Sequence, residues 1–463
     1  MSVQPYSGHK PLCWSLLVTA TVFVGCGSIA TKIAQPSPPN QTGYPSASTQ
    51  VWLTELASTG APALAKNQSS PPTDVLTGMS GDPSGGVVIS GFTLGTYPGF
   101  SNPTGQAQAI AVKYDNVGNK QWLLQFGTGK GDFLTAVGVD ASNNSYVAGA
   151  SDGTYPGQIS STGSQALIAK LDKSGNRLWT QEFNLGLGNT SINAVTVGSS
   201  GIPYVTGSFT PDGTTGTVYS FVAQIDPISG LRRWTQQYGV VNVITSLNGI
   251  ASGSAGDIYI VGSNLTSTSN GTQSADVQRL STSSGKLLWS RDLQAGSSSE
   301  YLLASVISSG DGNPVIAGSL SKSNSVIVGF GADPSASGVM SKLDANSGVS
   351  IWTVTPFSGM GDEITSVATA GNNFYAVGST NGALSVAYTA QTEGDFLLKV
   401  DDTGHVVWVQ QFGTGKVVDI QTPYGLRTAT DGTRVYVGGP TQTPFPGFGA
   451  SGLLQIFVSA WQF

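Results

Sequence analysis

The chain has 463 residues, longer than one hydrophobic core usually grows, so it holds several domains or a repeat array. Charged residues make up 10% of it and the net charge is −6, which leaves no basic stripe to neutralise nucleic-acid phosphates. Two cysteines (Cys13, Cys26) and two histidines (His9, His405) exclude a disulfide framework and most His-based zinc or triad chemistry.

Residues 12–25, LCWSLLVTATVFVG, are apolar but too few to cross a bilayer comfortably, and suit the core of a signal peptide. The run ends Phe23-Val24-Gly25-Cys26, which resembles a bacterial lipobox with Phe in place of the usual Leu. That resemblance implies cleavage before Cys26 and a diacylated Cys26 as the mature N-terminus. Two acyl chains suffice for stable anchoring. The expected domains are a lipoprotein signal peptide (1–25), a Pro/Ser-rich tether (26–49) and a repeat domain (50–463). Gly27, rather than Asp, follows the cysteine, so the expected location is the cell envelope, at the outer membrane or cell surface.

The repeat domain is organised around Ala109 to Gly127, AIAVKYDNVGNKQWLLQFG: an alternating strand, a tight turn with Gly, and a second strand opening on Trp. That Trp recurs at 52, 122, 179, 234, 289, 352 and 408. A second marker, a strand ending in Gly, falls between them at Gly91, Gly149, Gly207, Gly262, Gly318, Gly378 and Gly439. Two independent markers with one seven-fold count predict an all-β, seven-bladed β-propeller of four-stranded antiparallel blades. The glycines are expected where sheets crowd toward the axis, and the Trp rings where blades diverge. Trp52 to Leu56 reads as an outer strand with no blade before it, and Leu453 to Ala460 as a third strand with no outer strand after it. Pairing them closes the ring and removes an open edge. Trp461 aligns with Asp115 and belongs to that seam.

At DxxGNxxW (Asp115, Gly118, Asn119, Trp122; Asp172, Gly175, Asn176, Trp179), FGTGKGD (126–132) and AVGVDASNNSYVAG (136–149) the chain resembles the SBBP (seven-bladed β-propeller) repeat family. That family implies a propeller in secreted or surface bacterial proteins and no defined activity. The middle repeats depart from the pattern, with Ser281 in place of the turn Asp. A weaker resemblance, through IDPISGLRRW (225–234) and KLDANSGVSIW (342–352), is to quinoprotein-type (PQQ) propeller repeats, which occur in dehydrogenases and in an outer-membrane assembly lipoprotein.

The long loops between second and third strands share one face of a propeller, and loops on a rigid scaffold are where function usually sits. Three of them, GTYPGF (95–100), GTYPG (153–157) and TPFPGFG (443–449), gather Tyr97, Phe100, Tyr155, Phe445 and Phe448 on consecutive blades. These are the candidate ligand-binding residues, suited to a polysaccharide or an extended protein segment, unless each ring packs on its own blade. Asp132, Glu300, Asp362, Glu363 and Asp419 fall between blades and read as solvated loop charges, although two from different blades could form a hydrolytic pair. No G-x-S-x-G, HExxH or P-loop is present, and His405 falls on the tight-turn face. The expected protein is a surface-tethered, monomeric, non-enzymatic binding or scaffold module. It has no cofactor, metal or nucleic acid, and meets the membrane through its anchor alone. The alternatives are a carboxylate hydrolase, a quinone-dependent dehydrogenase or an outer-membrane assembly factor.

Overall fold

The computed structural model describes residues 49–59, 74–211, 218–238, 243–266, 273–293, 300–321, 337–356, 358, 361–384, 394–412, 425–441 and 455–462. They form seven four-stranded antiparallel sheets. Blade 1 is typical, with Asp74–Gly81 innermost, then Val87–Thr93, Gln108–Tyr114 and, outermost, Lys120–Phe126. Blades 2 to 6 begin at Asp132, Thr190, Val243, Glu300 and Asp362. Blade 7 takes three strands from residues 427–462, and its outer strand, Thr49–Leu56, from the other end of the domain. The expected seam is present: Trp52 pairs with Ala460 and Leu56 with Ile456. Each inner strand contacts the next around the ring, and the last contacts the first.

What joins blade to blade was hidden in the repeat. The indole Nε1 of Trp52, Trp122, Trp179, Trp234, Trp289 and Trp352 donates to a carbonyl in the tight turn of the following blade, from 2.7 Å at Trp289–Ala345 to 3.3 Å at Trp179–Pro227. A neighbour of the indole on the third strand often adds a second donor. Thr282 O accepts Trp234 Nε1 at 3.0 Å and Gln224 Nε2 at 3.0 Å. Pro227 O accepts Trp179 and Lys170, and Ala345 O accepts Trp289 and Arg279. The turn itself is set by its Asp: the Asp115 carboxylate accepts the amides of Val117 and Asn119, and Asp172 those of Ser174 and Asn176. Where Ser281 replaces the Asp, the Gly285 amide still closes the turn on Ser281 O. The turn glycine lies against the indole of the preceding blade. A Cβ on Gly285 would stand 2.7 Å from the Trp234 ring, on a backbone with φ of 69°. The recurring Trp and the recurring turn Gly are therefore contact partners across blades.

A second set of links runs near the axis. Six inner strands carry a register shift at the same place, leaving Thr77, Thr135, Asn193, Asn248, Ala304 and Thr365 bulged. The side chain of each, except Ala304, donates to the carbonyl of the residue before the bulge in the next blade. The bonds are Thr77 to Leu134 at 2.7 Å, Thr135 to Ile192 at 2.5 Å, Asn193 to Leu247 at 3.0 Å, Asn248 to Leu303 at 3.1 Å and Thr365 to Leu426 at 2.8 Å. Arg427 holds the position in blade 7 and reaches one residue further, to Thr77 O at 2.7 Å. The bulge also explains the strand glycines. A Cβ on Gly91 would lie 1.8 Å from Val75 O, and one on Gly149 1.9 Å from Phe133 O. The crowding comes from the blade's own bulged strand, not from a neighbouring sheet as the composition suggested.

Trp461 takes the register position of Tyr114 and Leu171, one residue before the turn Asp rather than opposite it. Blade 7 has no turn between its third and outer strands, so Trp408 has no turn to meet. Trp461 packs in the same cluster as Trp408, with its ring 5.6 Å from Phe412.

Trp234→Phe should cost about 1 kcal/mol, the net worth of one hydrogen bond, and Trp234→Ala about 3–5 kcal/mol, both read by thermal melting. Equal losses would mean the indole N–H does nothing for cohesion. Ala304→Thr supplies the missing donor toward Ile364 O and should stabilise by about 0.5–1.5 kcal/mol. An earlier melt would show that the ring is not completed at that position.

Candidate functional site

The loop face is assembled by one device used in three blades. In blade 1 the strand-four side chain Gln125 accepts the Tyr97 amide at 2.9 Å and donates to Gly95 O at 3.0 Å. Gln411 does the same in blade 6, with the Leu384 amide at 2.7 Å and Gly382 O at 2.9 Å. In blade 2 Glu182 stands in for the glutamine and accepts the Tyr155 amide at 2.8 Å. These braces pin each loop to its own blade.

They also turn the tyrosines inward. Tyr97 is 2% exposed and Tyr155 4% exposed. Tyr97 and the half-buried Phe100 pack in the cluster between blades 7 and 1, and Tyr155 in that between blades 1 and 2. Their hydroxyls lie beside the carboxylates of Asp74 and Asp132, and burial pushes both phenols well up. Tyr97, Phe100 and Tyr155 are therefore packing residues rather than an exposed stacking surface. Phe445 and Phe448 lie outside the described residues, as does Asp419.

Asp132, Asp362 and Glu363 are not solvated loop charges either, and the Glu300 side chain lies outside the described residues. Asp132 and Asp362 are 0% and 1% exposed. They head the inner strands of blades 2 and 6, three residues before the bulged Thr135 and Thr365. Asp132 accepts the Thr128 amide at 2.7 Å and the Ser151 hydroxyl at 2.7 Å. Asp362 accepts the Ser358 amide at 2.7 Å and the Thr380 hydroxyl at 2.6 Å. Asp74 does the same work in blade 1, taking the Ser58 amide at 2.8 Å. Each ties the incoming inter-blade segment to its blade. Burial raises their pKa values, and the hydrogen bonds pull part of the way back. Gly-x-Gly-Asp before both Asp132 and Asp362 was the sequence signal for this role.

Glu363 and Asp395 differ. Both pair with Ser379 across blade 6, so they lie on one sheet face, the one turned to blade 7. Their backbones stand two strand spacings apart, roughly 9–10 Å. Neither has a hydrogen-bond or ion-pair partner among the described residues. Burial pushes Glu363 up to about 7 and Asp395 up to about 7. Asp276 in blade 4, beside Asp292, is pushed up to about 6 by burial. Sequence reasoning named Glu363 only as a loop charge and missed Asp395 and Asp276. Their raised pKa values bring their proton exchange close to neutrality. Among the described residues no group of three or more His, Cys, Asp or Glu is placed to hold a metal ion. His405 lies in the tight turn after Asp401, exposed, as its sequence position implied.

No family model and no curated protein matches the sequence. Solved structures share the fold. One is a polysaccharide lyase of family PL25, an ulvan lyase, at 10% identity, covering 80% of this chain and 92% of that one with a TM-score of 0.50. Others are the hydrazine synthase of Kuenenia stuttgartiensis (13%, 81% and 96%, TM-score 0.47) and a protein of unknown function from Dyadobacter fermentans (9%, 90% and 99%, TM-score 0.45). At these identities the likeness is one of fold.

Glu363 and Asp395 have folded pKa values above the usual carboxylate values of about 4, so they ionise late. Their contribution to stability is full below about pH 4 and is lost as pH rises through 7. Between pH 5.5 and 8 the melting temperature should fall by about 5 °C. The double variant Glu363→Gln, Asp395→Asn should flatten that fall; an unchanged slope would place the titration elsewhere.

Proposed function

We propose that this chain is a lipid-anchored propeller of the bacterial cell envelope that acts as a binding or scaffold module, engaging its partner through the loop face. The observation that carries this reading is the bracing of three loops by Gln125, Glu182 and Gln411, which preorganises the described part of the face at Tyr97, Tyr155 and Leu384. A preorganised surface saves the ordering cost that a mobile loop pays on binding. The sequence features that resemble a lipobox and the SBBP repeats support the anchor and the surface location.

The partner's chemistry follows from the charge of that platform. Asp152, Glu182, Asp292, Glu363 and Asp395 lie toward the loop end of their blades, where Lys130 is the exposed cation among the described residues. With Tyr97 and Tyr155 packed inside, recognition by ring stacking loses its support. A basic segment of another surface protein or an amine-bearing polysaccharide fits better than a neutral glycan.

The test uses the full chain. Membranes should retain the wild type and release Cys26→Ala. The purified protein should bind immobilised polylysine and chitosan but not a neutral glucan. Binding should be lost near 1 M salt, where the Debye length shrinks to about 3 Å. Tight, salt-independent binding to the neutral glucan would overturn the charge reading, and membrane retention of Cys26→Ala would overturn the anchor.

A further inference from the structure

The large apolar side chains left exposed are not scattered. Apart from Ile159 and Leu187, those on the described surface all lie at the tight-turn end of the blades. They are densest on blades 3 to 5, with Ile228, Leu231, Leu287, Leu288, Val349 and Ile351. Ile228 is 85% exposed at the tip of its turn. The fold does not require it there, since Ser174 and Thr403 hold the equivalent position in blades 2 and 6. Leu288 and Ile351 precede their tryptophans, where blades 1 and 3 carry Gln121 and Arg233. An exposed apolar arc of this kind marks an interaction surface.

Three observations say what covers it. Outer strands start at the tight-turn end, and Thr49 opens the outer strand of blade 7. Residues 27–48 therefore join Cys26 to the propeller from the side that bears the arc. The exposed Lys120, Lys173 and Lys286 sit on the same side, among turn aspartates already held by backbone amides. The opposite side carries the surplus of carboxylates, which anionic headgroups repel.

We propose that the tight-turn face rests on the lipid bilayer, with the apolar arc of blades 3 to 5 seated at headgroup level and the acidic loop face turned away. This rests on the anchor at Cys26 and adds to it a defined orientation. The propeller then meets the membrane through a second contact, and the loop platform points toward whatever lies beyond the surface.

The experiment is lipid quenching on the full chain in phosphatidylethanolamine–phosphatidylglycerol vesicles. A thiol-reactive fluorophore is placed at Ile228→Cys, at Leu288→Cys or, on the loop face, at Ile159→Cys. Ile159 is 87% exposed, so the control site is as open as the test site. Nitroxide headgroup lipids should remove at least about half the emission at 228 and 288, because a docked side chain sits about 5–10 Å into the interface. Emission at 159 should be unchanged. Equal or stronger quenching at 159, or none anywhere on a chain that floats with the vesicles, overturns the orientation while leaving the anchor intact. A wild-type chain that does not float and carries no acyl mass overturns the anchor, and the orientation with it. A Cys26→Ala chain that sediments as a dimer with the 228 probe shielded assigns the arc to a second copy and also overturns the inference.

Discussion

A backbone carbonyl left free by its own sheet is what each blade offers the next. A four-stranded antiparallel sheet uses its ladder groups internally, so neighbouring blades would otherwise meet only through apolar side chains, which are non-directional. Two irregularities break that limit. The inner-strand bulge frees a carbonyl near the axis at Leu134, Ile192, Leu247 and Leu303, and blade 7, whose inner strand pairs without a bulge, offers Leu426 O at the same place. The tight turn frees one at the rim, at Asn116, Lys173, Pro227, Thr282, Ala345 and Asp402. A donor from the preceding blade meets each. Every bond is worth only about 1 kcal/mol net, but each has a direction, so the set fixes how one blade sits on the next. Remove the irregularities and the apolar clusters between blades could slide.

This explains which parts of the fold were legible in the sequence. Trp and turn Gly recur with one period, so the blade count could be read directly. That Trp234 touches Gly285 could not, because the period says which residues are equivalent and not which meet. The bulges were invisible for a related reason. One extra residue in a strand of eight hardly disturbs its alternation, yet it decides that Thr77 points to another blade. The seam was legible because both orphan strands kept the alternation of their kind, whereas the place of Trp461 was missed by one residue.

The loop face was read less well, and the cause is physical. Pro-Gly after Tyr97 and Tyr155 announces a turn, but the direction of the ring is decided by Gln125 and Glu182, about thirty residues away on the outer strand. Acidic residues between strands usually mean solvent. Asp132 and Asp362 are buried because amides and hydroxyls from two segments converge on them, which compensates for desolvation. Glu363 and Asp395 lack such partners among the described residues, and burial raises their pKa values instead.

These features are unevenly distributed around the ring, and the uneven part has a consequence for its mechanics. Ala304 leaves blade 5 without the usual bulge donor, and the Val367 amide of blade 6 donates instead to the Ser305 hydroxyl at 3.3 Å. Glu363 and Asp395, which have no partner among the described residues, lie between blades 6 and 7. Blade 7 is itself held together by pairing between strands from opposite ends of the domain, with Trp461 standing in for the missing turn. Blades 1 to 4 have none of these defects: their bulge donors, their rim indoles and their covalent turns are all in place. The arc from blade 5 to blade 7 is thus held by a different set of bonds, among them Lys342 to Asp402 and the Thr428 amide to the Ser366 hydroxyl. Ionising Glu363 and Asp395 above neutral pH adds charge to the interface of blades 6 and 7, so that interface is where rising pH acts on the ring.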